Sequence, residues 1–275
     1  MKRVLAVLVL FGASAASGQE LTSVPALQDV GASMRALKSA AETAPGEPIE
    51  YAHRLGHSTP PIEAGETPDV SPYPVRGVDV SHYEGAVQWD KVKAAGVAFA
   101  YAKATEGDTY VDDTFAADWR GAADHGLLRG AYHFYNFCDK GADQADNFIK
   151  TVRREDGALP VVVDLEQSND CARMPARAAF LKDLAAFVRK VEAAYGLTPI
   201  LYVNLSIYDQ YLSGASAGYR LWIADPSHKS PQMPAGRDWA FWQYSWHGSV
   251  PGIGAETDLD VFNGDAKALS LLTRP

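Results

Sequence analysis

Leu159-Pro160-Val161-Val162-Val163-Asp164-Leu165-Glu166 is an apolar, valine-rich run that ends in two carboxylates. Its composition predicts a strand. Side chains alternate along a strand, so Asp164 and Glu166 project from one face with Cα atoms about 6.5–7 Å apart. Charge at the end of an apolar strand is costly. Two like charges this close push one pKa upward, the condition a general acid needs. The competing structural reading is a strand end that meets solvent, with Asp164 capping the following turn.

Outward from this run, short β-rich segments alternate with helical ones. Strands are expected at 77–80, 97–103, 128–135, 159–165, 199–203, 221–224, 241–244 and 259–262. Helices are expected at 89–95, 112–125, 141–154 and 175–195. The last carries Ala178, Leu181, Leu184, Ala185 and Val188 at helical spacing, with Gly196 just past its end. This alternation predicts an α/β fold, a distorted TIM-like β/α barrel of about eight strands whose later crossover helices are missing or short. A doubly wound open sheet would want a glycine-rich loop after the first strand, and none follows Val80.

At a barrel mouth, acids from several strands meet. Asp79 follows the first apolar run and Asp258 lies at the last; both are expected at the rim with Asp164 and Glu166. Lys103, at the end of the second strand, is a cation that could balance the cluster. Aromatics crowd the same strand ends. Tyr132, Tyr202 and Trp242 are the candidates for substrate contact, because a flat ring with a polar edge suits the apolar face of a sugar.

The 275 residues carry a formal charge of −9, with 47% hydrophobic and 21% charged residues. That is a globular composition, and the absence of any basic run argues against a nucleic-acid partner. Lys2 and Arg3 precede an apolar stretch from Val4 to Phe11 and a small-residue zone to Gly18. Residues 1–18 therefore read as a cleaved secretory signal peptide, with cleavage after Ala15 or Gly18, too short to span a bilayer. A monomer that is periplasmic or secreted, without stable membrane insertion, is expected. Residues 19–74 are proline-rich and read as an extension or linker, with an amphipathic helix within 24–42; the catalytic barrel is expected over 75–270. Cys138 and Cys171 are the two cysteines. In an exported chain they are expected to pair, the alternative being two buried thiols.

The ordered blocks resemble the glycoside hydrolase family 25 lysozymes, the Chalaropsis-type N-acetylmuramidases. They are Gly77-Val78-Asp79-Val80-Ser81, Lys103-Ala104-Thr105-Glu106, Gly130-Ala131-Tyr132-His133-Phe134, Val163-Asp164-Leu165-Glu166, Phe241-Trp242-Gln243-Tyr244 and Thr257-Asp258-Leu259-Asp260. The resemblance implies hydrolysis of the β-1,4 bond between N-acetylmuramic acid and N-acetylglucosamine in peptidoglycan glycan strands, with no cofactor and no metal. It implies Glu166 as general acid, Asp164 as its partner, and Asp79 and Asp258 as supporting acids. Glu84 stands where the family usually has Asn or Gln, and Asp260 where Asn is common. Asp164 could attack directly or orient the substrate's own N-acetyl group. Two other readings stay open: a metal-dependent phosphodiesterase on a similar barrel, using the same acids as ligands, and a non-catalytic peptidoglycan-binding module.

Overall fold

A computed structural model describes residues 30–43, 66–167, 171, 173–233 and 237–273. The expected leader at 1–18 and much of the expected extension, including residues 44–65, lie outside the described residues. Nine strands form the sheet: β1 (Val75–Val80), β2 (Phe99–Glu106), β3 (Tyr110–Val111), β4 (Leu128–Phe134), β5 (Val162–Leu165), β6 (Ile200–Val203), β7 (Leu221–Ala224), β8 (Phe241–Gly248) and β9 (Thr257–Phe262). Neighbours run β1-β9-β8-β7-β6-β5-β4-β2-β3, and β1 also pairs with β2, so eight strands close a barrel and β3 hangs from the end of β2. The pairings from β1 through β2 and β4 to β8 are parallel; β9 is antiparallel to both β8 and β1.

Helices α2 (Trp89–Ala94), α3 (Phe115–Asp124), α4 (Gly141–Thr151) and α5 (Arg177–Tyr195) make the early crossovers. In α5 the buried residues Phe180, Leu181, Leu184, Val188, Val191 and Tyr195 recur at helical spacing, and Gly196 ends the helix at φ 73°. Between β6 and β7 the short α6 (Leu205–Ile207) is continued by a π turn over Tyr208–Leu212, no helix joins β7 to β8 among the described residues, and α7 (Ala266–Leu271) follows β9.

The barrel interior holds Phe99, Tyr101, Val162, Ile200, Tyr202, Trp222, Phe241 and Phe262 as one packed cluster. Two glycines make room for it. A Cβ at Gly77 would stand 2.2 Å from the Phe99 ring, and one at Gly130 2.0 Å from the ring of Tyr101. The inward set is therefore the odd-numbered residues of β1 and of β2 up to Lys103, past which a bulge turns Thr105 outward onto His133, and the even-numbered ones of β4 to β7. That parity carries Asp79, Lys103, Tyr132 and Asp164 to the upper rim.

Two parts of the proline-rich segment pack on the barrel. Helix α1 (Val30–Thr43) lies on α5 with Leu37 and Ala40 buried. Tyr73 packs its ring 5.0 Å from Trp239 and 6.2 Å from Trp242. Within the expected extension or linker over 19–74, the described residues from 66 onward lie against the barrel, with the Asp69 N–H donating to the Lys229 carbonyl at 2.9 Å. Cys138 and Cys171 form a disulfide with a Cα–Cα distance of 5.3 Å. No helix among the described residues is long and apolar enough to cross a membrane.

Candidate active site

A cleft of about 190 Å³ opens at the carboxyl ends of the parallel strands, with Asp79, Asp164, Glu166, Asp258, Lys103 and Tyr132 on its walls. β1 delivers Asp79 and β5 delivers Asp164, while Glu166 stands just past the end of β5. Asp258 arrives differently. Because β9 runs antiparallel, it comes from that strand's beginning and lies directly across from Asp79.

These acids stand at the head of a barrel whose lower part is apolar, and burial is the largest influence on each. It drives Glu166 up to about 7, with Asp79 pushing the same way and Lys103 opposing. Asp79 rises to about 6 and Asp258 to about 9, each raised further by Glu84. Asp164 lies well above the usual carboxylate range, through burial and then the neighbouring Glu166 and Asp79. Its Oδ1 is buried with no hydrogen-bond partner among the described residues. Asp260, one pleat below Asp258, is fully buried and accepts the Trp222 indole N–H at 3.1 Å.

Lys103 is the buried cation of the rim. Its Nζ donates to Glu106 at 2.6 Å and lies 4.7 Å from the centre of the Phe134 ring. Among the described residues no group of three His, Cys, Asp or Glu is arranged to hold a metal ion.

Of the aromatics expected at the substrate, Tyr132 and Tyr202 line the cleft. Trp242 does not, and its assignment is corrected. The indole is fully buried on the outer side of β8, donates to the Asp225 carbonyl at 2.8 Å and packs against Tyr73 and Trp239. Its neighbour Gln243 is the inward residue. The amide accepts from the Tyr202 hydroxyl at 2.8 Å and donates to Asp79 Oδ2 at 2.9 Å. Gln243 is a wall residue that choosing by aromatic side-chain type passed over, and Trp222 is an aromatic on the same wall that was not among the three candidates. Once Phe241 is placed in the barrel core, alternation along β8 points to Gln243.

Residues 78–253 match the Glycosyl hydrolases family 25. Lysozyme M1 of Streptomyces globisporus is 34% identical over 210 residues, covering 72% of this chain and 71% of that protein. Among solved structures, a bacterial lysozyme from Streptomyces coelicolor superposes with a TM-score of 0.68 at 34% identity, over 72% of this chain and 96% of that one. A family 25 glycosyl hydrolase from Bacillus anthracis gives 0.69 at 32% identity, over 81% and 99%.

Proposed function

The chain belongs to glycosyl hydrolases family 25, and from that membership we propose that this glycoside hydrolase cuts peptidoglycan between N-acetylmuramic acid and N-acetylglucosamine, with Glu166 as general acid. The observation that carries the reading is the pairing of Glu166, raised to about 7, with the unpartnered Oδ1 of Asp164 in one sugar-sized cleft. At mildly acidic pH Glu166 keeps its proton and gives it to the leaving glycosidic oxygen.

For the second role, attack by Asp164 itself would need an ionised carboxylate, and its surroundings oppose ionisation. Two acids on one face of one strand are also poorly placed to straddle a scissile bond. Asp164 Oδ1 instead accepts the N–H of the substrate's acetamido group. The acetamido oxygen then forms a bond to the anomeric carbon as the glycosidic bond breaks, giving a bicyclic oxazolinium. Water, deprotonated by Glu166, opens this intermediate with net retention. Asp79 and Asp258 close the opposite wall, and Tyr132 presents a ring to the sugar. The disulfide and the leader-like sequence support export to an oxidising compartment where the wall substrate lies.

Mass spectrometry of fragments released from purified peptidoglycan tests the reading. Reducing-end N-acetylmuramic acid is expected. Reducing-end N-acetylglucosamine, or no release at all, would overturn it.

A further inference from the structure

Gln243 is 2% exposed, and its orientation is fixed by its partners. The indole N–H of Trp246 can only donate, and it lies 2.8 Å from the amide oxygen. The Tyr202 hydroxyl donates to the same oxygen. The amide nitrogen is thereby turned toward Asp79 Oδ2. Asp79 itself is crowded by acids: Asp258 and Asp260 from β9, Glu84 from the turn after β1, and Asp164 and Glu166 at the end of β5. The hydroxyls of Tyr132 and Tyr202 face it from β4 and β6. Against this crowd Gln243 supplies a donor whose hydrogens do not titrate.

We propose that Gln243 is a positioning residue: locked by Trp246 and Tyr202, it makes Asp79 the permanent hydrogen-bond acceptor of the Asp79–Asp258 pair and leaves the shared proton with Asp258. The amide donor favours the ionised form of Asp79, and the geometry forbids a proton on Oδ2 facing the amide. The inference rests on the reading above only in giving Asp79 a catalytic task. The lock itself is independent of it.

The test is a ¹³C NMR titration of aspartate carboxyls in the full chain, with Asp79 identified by its loss in Asp79→Asn. Gln243→Leu removes the donor and is expected to raise the Asp79 midpoint by about one pH unit. The double variant Trp246→Phe with Tyr202→Phe keeps the amide but frees it to turn over, and is expected to raise the midpoint by a smaller amount. The acidic limb of kcat/KM on peptidoglycan should move with the NMR midpoint in each variant. An unmoved Asp79 midpoint in a folded Gln243→Leu would overturn the inference. Should that variant not fold, an unmoved midpoint in the double variant would do so. If the native enzyme releases no muramic-acid ends, the proposed function fails, while the titration still decides the lock.

Discussion

Asp79 on β1 and Asp258 on β9 stand directly opposite each other across an antiparallel strand pair, two carboxyls where a sheet ordinarily avoids like charges. Their folded pKa values of about 6 and about 9 both lie above the ordinary 3.8. The native state therefore holds more protons than the unfolded chain, and the associated stability, full below about pH 4, is lost as pH rises through 6 and toward 9. Denaturation midpoints should fall between pH 5 and pH 8. Asp258→Asn removes the group that must stay protonated when folded but ionises when unfolded, and is expected to flatten that slope, gaining about 1–3 kcal/mol over the native protein at pH 8. A variant less stable than the native protein at pH 8 would contradict this account of the pair.

Glu166→Gln keeps the size of the side chain and removes its transferable proton. Turnover on peptidoglycan should fall by about 10²–10⁴-fold with circular dichroism and melting little changed. More than about a tenth of native activity remaining would take Glu166 out of the acid role.

The pH dependence of kcat/KM follows from two groups with opposite requirements. Glu166, at about 7, must be protonated, and Asp79, at about 6, must be ionised. A narrow bell with its optimum between those values is expected. Lys103 holds both Glu166 and Asp164 down, so Lys103→Met should raise the Glu166 pKa and move the alkaline limb upward. A downward shift would mean that the ammonium acts on some other group.

The disulfide joins the turn after β4 to the segment that follows Glu166, closing 33 positions of chain. On loop-closure entropy, replacing both cysteines by serine should cost about 3–4 kcal/mol in chemical denaturation. The loss should appear equally on addition of a thiol reductant to the native chain. No change on reduction would show that the bridge does not constrain the unfolded chain.

Most of the barrel was legible because period and punctuation are local signals. Val161 to Glu166 announces a strand with acids at its end, and α5 shows both its apolar stripe and its terminal glycine. Trp242 was misplaced because an aromatic residue was matched to a sugar without fixing the parity of β8. Phe241 in the barrel core leaves Trp242 on the outside, under Tyr73 and Trp239. The direction of β9 was hidden for a different reason, since inward and outward residues alternate alike in parallel and antiparallel strands. The expected strands at 241–244 and 259–262 leave room for a crossover of a dozen or more residues; only the extension of β8 to Gly248 and the start of β9 at Thr257 make the connection too short for a parallel return. The docking of α1 and the lock around Gln243 depend on contacts between residues far apart in sequence, which no local pattern carries.

The reversed last strand also has a consequence for how the protein comes into being. β9 seats itself between β8 and β1, so the oldest and youngest parts of the barrel must meet before its wall exists. A nascent chain that has not yet reached Asp258 holds an open sheet with one of its four acids still unmade. A stop before that point would leave the barrel without the strand that joins β8 to β1, an unpaired edge of the kind that exposes a chain to misassembly.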